Sequence, residues 1–124
     1  MATWQEIGLS SFYAAQTLYE QKQFRSSVSR SYYAAFSVIT HQLVEAGARF
    51  GQQETPPHQA MPKLMKQYLT LPGWQMTSSI AIIRRLYAAR IAADYQRRVT
   101  DGPTAREAIR DSVALFRYLE VEYE

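Results

Sequence analysis

The stretch from Ser26 to Ala46 constrains the fold more than any other, because nothing in it interrupts a helix and Gly47 follows as a stop. Taking about 100° per residue, the apolar positions form one stripe. This stripe consists of Val28, Tyr32, Ala35, Phe36, Ile39, Leu43 and Ala46. A second stripe is mostly polar and consists of Ser26, Arg30, Tyr33, Ser37, His41 and Val44. The pattern predicts a helix with one face in a core and another that meets a second helix of the chain or a partner.

Four further helices are predicted around this central helix from hydrophobic periodicity and from the positions of Pro and Gly. They cover Trp4 to Lys22, about Ala60 to Thr70, about Thr77 to Val99, and a last segment with Thr104 as N-cap of a capping box and Glu107 as its partner. No segment shows the alternation of a strand. The sequence therefore predicts one all-α domain over residues 1–124, an antiparallel up-and-down helical bundle of four long helices and one short helix.

Composition excludes several classes of protein. The chain contains no Cys, so it has neither disulfides nor thiolate metal sites. The longest aliphatic run, Ile80 to Ile83, is far too short to span a membrane, and the N-terminus does not resemble a secretory signal. We therefore expect a cytoplasmic protein with no membrane partner.

The basic side chains are unusual in kind, with eleven Arg against three Lys, and nine Tyr accompany them. Arg makes planar, bidentate contacts with phosphate and carboxylate and stacks on aromatic rings, which Lys does not. Such a composition favours phosphate-bearing or nucleic-acid partners. It equally favours protein interfaces, so composition alone leaves both open.

The fourth helix carries a stripe that begins apolar and becomes charged without leaving its line. It consists of Ile80, Ile83, Tyr87, Arg90, Asp94 and Arg97. Arg90 and Asp94 are spaced to form an i, i+4 ion pair, which on an exposed helix stabilises by only about 0.2–0.5 kcal/mol. A partly buried pair rarely adds stability, so its presence would indicate specificity or function.

Motifs for catalysis and for metals are sparse. The two histidines, His41 and His58, lie on different elements and have no ligand spacing, and no phosphate-binding glycine loop is present. Ser37 and His41 could form a nucleophile and base, although Ser is common on helices. His58 follows Pro57 before the third helix and is expected to be a loop or capping residue. The sequence predicts no metal and no cofactor.

Two stretches carry a resemblance to a known family. The first reads Ser29-Arg30-Ser31-Tyr32-Tyr33-Ala34-Ala35-Phe36 and lies on the central helix, and the second reads Arg90-Ile91-Ala92-Ala93-Asp94-Tyr95 and lies on the fourth. They resemble the S-R-x-Y-Y-A-x-F and R-x-x-A-D-Y stretches of a subgroup of HEPN domains. The helix order is similar to that family over nearly the whole chain.

The resemblance implies a HEPN-like bundle in the prokaryotic cytosol, often dimeric. It also implies association with nucleotides or RNA, or partnership with a minimal nucleotidyltransferase in a toxin–antitoxin pair. Many relatives are metal-independent ribonucleases with an Arg-x4–6-His motif. This chain departs from that motif, since no Arg lies at the required distance before His41 or His58.

Two functions from different classes follow. The favoured one is a binding module without its own catalysis, in which Arg90 and Asp94 anchor the site and Tyr32, Tyr33 and Tyr95 line it. Arg30 and Arg97 are available for an anion. The competing structural interpretation is that Arg90 and Asp94 only tie the fourth helix to the second, through a tyrosine hydroxyl.

The alternative function is a divergent metal-independent ribonuclease at a dimer cleft. Arg30 or Arg90 would stabilise phosphorane charge there, and His41 would act as general acid or base. A homodimer through the second and fourth helices is predicted in either case, because both helices carry a second stripe of types enriched at interfaces.

Overall fold

The computed structural model describes residues 1–123, which form five α-helices and one short 3-10 turn. The helices are α1 (Trp4–Glu20), α2 (Phe24–Glu45), α3 (Met61–Tyr68), α4 (Gly73–Tyr95) and α5 (Gly102–Tyr118), and the 3-10 turn His58–Ala60 precedes α3. Within residues 1–123 the only β-type pairing is an isolated bridge between Phe50 and Gln53. The predicted all-α bundle of four long helices and one short helix is confirmed.

Helix α2 is the centre of the bundle, with contacts to α1, α3, α4 and α5. Twelve of its 22 residues are buried. The buried part includes hydroxyl side chains beyond the apolar stripe, and Ser37, expected on the polar face, is only 4% exposed. The polar stripe is therefore partly enclosed within the chain, because helices pack on more than one side of α2.

Helix α1 lies very close to α2 at Gly8. A Cβ atom built on Gly8 would lie 2.8 Å from Val38 Cγ2 and 2.9 Å from the Ala34 carbonyl oxygen. One of these neighbours is backbone, which cannot move aside as a flexible side chain can. A glycine within a helix normally costs stability, and here it permits a close contact between the two helices.

Helix α4 packs inside the chain on two sides. Ile80 and Ile83, at the apolar start of the stripe that becomes charged, are 5% and 3% exposed, and Ile82 and Leu86, on a separate apolar stripe, are 4% and 1% exposed. The apolar start of the charged stripe is therefore not available to a partner. Of the helices within residues 1–123, none has the length and apolar character needed to cross a membrane.

The ends of α4 differ from those expected. It begins at Gly73 rather than Thr77 and ends at Tyr95 rather than Val99, so Arg97 lies beyond the helix. The Arg25 side chain explains the early end, since it donates to the carbonyl oxygens of Ala93, Gln96 and Arg98. Carbonyls left unpaired at a helix end need such donors, and a residue distant in sequence supplies them here.

The N-cap expected at Thr104 is also wrong. Helix α5 begins at Gly102, and the Asp101 side chain accepts a hydrogen bond from the Thr104 backbone N–H at 2.9 Å. Pro103 lies in the first turn, where its missing N–H costs nothing. Thr104 is thus inside the helix, and Asp101 is the N-cap in its place.

The contact at Gly8 gives a test of the packing. Gly8→Ala should lower the free energy of unfolding by about 1–3 kcal/mol, because the added methyl group overpacks the α1–α2 contact. Gly73→Ala is the matched control, since a Cβ there meets nothing within 4 Å. Urea unfolding of both variants measures the difference. Equal midpoints for Gly8→Ala and wild type would contradict the packing described.

Candidate functional site

The Arg90 guanidinium lies in a compact cluster at the C-terminal end of α4. Its Nε donates to Asp94 Oδ2 at 2.9 Å, and its Nη2 donates to the Tyr95 hydroxyl at 3.3 Å. Its Cζ lies 5.2 Å from the centre of the Tyr33 ring and 5.3 Å from that of the Tyr95 ring. These distances are those of cation–π contacts. The expected i, i+4 ion pair is therefore present and sits between two aromatic rings.

This cluster ties α4 to α2. Asp94 Oδ2 also accepts a hydrogen bond from the Ser29 hydroxyl at 3.2 Å. The side chains of Arg90 and Asp94 are 13% and 27% exposed, so the pair is partly buried. Burial works against the charge of Arg90, but Tyr33, Tyr95 and Asp94 outweigh it and raise its pKa. Arg90 stays charged, and its charge is already compensated by the chain.

A groove opens beside this cluster, between α1, α2 and α4. It has a volume of 420 Å³ and is lined by Leu18, Ser26, Ser29, Arg30, Tyr33 and Asp94. Arg30 is exposed and forms no hydrogen bond or ion pair within residues 1–123. Both bonds to Asp94 use Oδ2, so Oδ1 accepts none from the described residues. The groove thus combines an uncompensated cation, two hydroxyls and a carboxylate oxygen.

His41 is not part of this groove. It lies three helical turns from Arg30, roughly 16 Å along α2 at about 1.5 Å per residue. The pKa of Glu6 is lowered by its hydrogen bonds with Thr3 and, to a smaller extent, by His41, which places His41 near the start of α1. Within one protomer, therefore, the acid–base group and the guanidinium of the ribonuclease hypothesis are apart.

A second site surrounds His58, for which the sequence predicts only a loop or capping role. Its Nδ1 is hydrogen-bonded to the Tyr32 hydroxyl. Its ring centre lies 4.8 Å from that of Phe36, 5.5 Å from that of Tyr32 and 5.4 Å from that of Tyr87. A pocket of 270 Å³ opens here between α2, α4 and the 3-10 turn.

The protonation states at His58 follow from burial. Burial raises the pKa of the Tyr32 hydroxyl, which therefore stays protonated. Burial and, second, the charge of Arg90 lower the pKa of His58 below 6.5. We assign Tyr32 as the donor to Nδ1, which leaves the proton of the neutral imidazole on Nε2.

The structure brings together only part of the predicted site. Arg90, Asp94, Tyr95 and Tyr33 meet, and Arg30 lines the adjoining groove. Tyr32 is 1% exposed and contacts His58 instead. Arg97 is exposed and lies outside α4.

Sequence reasoning missed the contributions of His58, Tyr87, Ser29 and Arg25. Ser29 could have been found from its place in the first motif stretch. The other three depend on packing between elements distant in the sequence. Across residues 1–123, no three His, Asp or Glu side chains come together as metal ligands would.

The lowered pKa of His58 predicts a pH dependence. Folding favours the neutral imidazole, so the unfolded chain takes up this proton first as pH falls below 6.5. The free energy of unfolding should therefore decrease from that pH down through the folded pKa. Proton NMR of the two histidines, assigned with His41→Gln, should place the His58 midpoint below 6.5. In His58→Gln this part of the decrease should vanish, and a His58 midpoint at or above 6.5 would contradict the burial described.

Comparison with known proteins gives a family match. A family model described as the HEPN domain matches residues 1–122. The matched range contains all five helices and the cluster that joins α2 to α4. Searches of curated proteins and of solved structures gave no significant match. Because the family model covers nearly the entire sequence, the chain belongs to the HEPN domain family.

Proposed function

We propose that this HEPN protein is a binding module without catalysis of its own, and that it binds a nucleotide in the groove lined by Arg30. The observation that carries the proposal is the combination found in that groove. An exposed, unpaired guanidinium lies beside the Ser26 and Ser29 hydroxyls and the Asp94 carboxylate. In the same groove, the Arg30 guanidinium can bind a phosphate and the Asp94 carboxylate can accept hydrogen bonds from hydroxyls.

The chemistry of a nucleotide suits these groups. A phosphate accepts charge-assisted hydrogen bonds from a guanidinium, often in bidentate geometry. Ribose hydroxyls can donate to Asp94 Oδ1, which accepts no other bond within the described residues. The 420 Å³ of the groove falls within the usual range for small-molecule sites, about 300–1,000 Å³.

Two features support binding rather than catalysis. The Arg90 guanidinium is compensated by Asp94 and enclosed by two rings, so it is poorly placed to meet a phosphorane. His41 is remote from Arg30 along α2, and His58 Nδ1 is held by Tyr32. The ribonuclease alternative therefore needs a second protomer to complete an acid–base site.

The proposed biological partner is a minimal nucleotidyltransferase of the toxin–antitoxin type, because such pairs are common among HEPN proteins. A nucleotide held by the module would then be shared with, or presented to, an enzyme that acts on nucleotides. Capture of tagged protein from its native host, followed by identification of bound protein and nucleotide, tests this partnership. Recovery of neither would contradict it.

The groove gives a direct test of nucleotide binding. AMP should bind the wild-type protein, and adenosine, which lacks the phosphate, should bind at least tenfold more weakly. Arg30→Gln should reduce AMP affinity by about tenfold, a loss of about 1.4 kcal/mol, since hydrogen bonds to charged groups contribute about 1.5–3 kcal/mol. Isothermal titration calorimetry at fixed salt measures each affinity.

Arg110→Gln is the matched control, because Arg110 is an exposed residue of α5 outside the groove. It should leave AMP affinity unchanged. Equal affinities for AMP and adenosine, or for wild type and Arg30→Gln, would overturn the proposed site. Cleavage of RNA in EDTA that is lost in His41→Ala would overturn the absence of catalysis.

We also propose that the protein is a homodimer through the α2 and α4 surfaces, as HEPN domains often dimerise. The surface of α4 left open by intrachain packing includes Ala88 and Tyr95, which are exposed and share one side of the helix. Light scattering at micromolar concentration should give twice the chain mass of 14.3 kDa. Ala88→Glu should reduce the mass to that of one chain, because it places a charge in the contact.

Gln16→Glu, on the exposed side of α1, is the control and should remain dimeric. Ala88→Glu is preferable to a substitution at Tyr33 because the Tyr33 ring contacts Arg90 within the chain, so its loss would also disturb the fold. A wild-type mass of 14.3 kDa would refute the dimer. A dimer that Ala88→Glu leaves intact would refute this part of α4 as the interface.

A further inference from the structure

The pocket beside His58 is a second concave site, separate from the Arg30 groove and not used by the proposed nucleotide site. Its volume is 270 Å³, and it lies between α2, α4 and the turn that leads into α3. Tyr32, His58 and Tyr87 form an aromatic wall, with ring centres 5.4–5.6 Å apart. Ile83 and Pro62 add apolar surface, and Gln59 and Arg84 complete the lining.

The charge around this pocket is of one sign. Residues 55–93 contain five Lys and Arg and no Asp or Glu. Arg84 lines the pocket, is exposed, and forms no ion pair or hydrogen bond within residues 1–123. A cation without a carboxylate neighbour attracts an anion to the pocket.

The other polar groups of the pocket also favour an acceptor. The Tyr32 hydroxyl and His58 Nδ1 satisfy each other, which leaves His58 Nε2–H as a donor. Arg84 has only donors, and Gln59 can present its amide N–H. Because none of the lining residues is acidic, a ligand with acceptor oxygens and negative charge finds no repulsion there.

Size and surface restrict the ligand further. The pocket is smaller than the usual range for drug-sized ligands, which begins near about 300 Å³. Its aromatic and apolar walls favour a flat, apolar body, since rings pack well edge-to-face or offset against other rings. A bare inorganic anion would leave these walls unused.

We propose that this pocket binds a small carboxylate carried on a single aromatic ring. The carboxylate pairs with Arg84, and the ring packs against Tyr87 and Ile83. The planar guanidinium of Arg84 matches a carboxylate in bidentate geometry, which orients the ring of the ligand and adds to the affinity of the ligand for the pocket. The proposal is independent of the nucleotide site, because the two sites use different cations.

Benzoate, benzamide, acetate and inorganic phosphate are the probes. NMR titration of the full chain should show benzoate shifting the His58 and Tyr87 ring signals. Benzamide has the same shape without the charge, and acetate has the charge without the ring. Benzamide, acetate and phosphate should each bind at least tenfold more weakly than benzoate. Arg84→Gln should weaken benzoate binding by about tenfold, as expected for loss of a charge-assisted contact.

Arg85→Gln is the matched control, because Arg85 is adjacent in sequence but lines the groove between α4 and α5 and pairs with Asp111 at 2.9 Å. It should leave benzoate binding within about twofold of wild type, and Arg30→Gln should do the same. No binding of benzoate at about 10 mM would overturn the proposal. Equal binding of benzamide, acetate or phosphate, or unchanged benzoate affinity in Arg84→Gln, would also overturn it.

Discussion

The enclosure of α2 is the constraint on which the rest of the structure depends. Helix α2 touches four neighbours, so it buries hydroxyl side chains as well as its apolar stripe, and most buried hydroxyls are expected to find a hydrogen-bond partner. Ser27 donates to the Ala15 carbonyl oxygen at 2.7 Å, and Thr40 donates to that of Phe36 at 2.8 Å. Ser27 and Thr40 are satisfied in this way and still allow close helix approach, whereas Ser31 Oγ, also buried on α2, has no hydrogen-bond partner among the described residues. The residues that make α2 look polar in the sequence are partly what allows it to be central.

The same enclosure brings the two motif stretches together. Ser29 and Tyr33 belong to the first stretch, Arg90 and Asp94 to the second, and the contacts between them join α2 to α4. The tie runs through a serine hydroxyl and a tyrosine ring rather than through a tyrosine hydroxyl. The motif therefore has a role in holding the fold, and removal of Arg90 would disturb that tie as well as any site. Arg30, which has no partner within the described chain, is the cleaner indicator of binding.

The sequence was informative where a property is local to one helix. The apolar stripe of α2 from Val28 to Leu43 and the Arg90–Asp94 ion pair follow from a fixed helical period, and both are present. The stripes fail only at their ends, where Ala46 is an exposed C-cap and Arg97 lies beyond α4. It was uninformative where a contact joins distant elements. The end of α4 depends on Arg25, and the environment of His58 depends on rings from α2 and α4. Asp101 was missed because Asp and Thr are both good caps, and only the start of α5 distinguishes them.

The two neighbouring arginines of α4 show that the fold distributes acidic side chains unevenly around this helix. Arg85 turns toward α5, whose Asp111 binds it through two hydrogen bonds. Arg84, about 100° further round the helix, turns toward a segment with no acidic residue. The Asp and Glu side chains of the chain lie before residue 55 and after residue 93. Arg85 is therefore compensated on the α5 side of α4, whereas Arg84 is left without an acidic neighbour on the α3 side, and this difference is what favours the aromatic pocket as the proposed anion site.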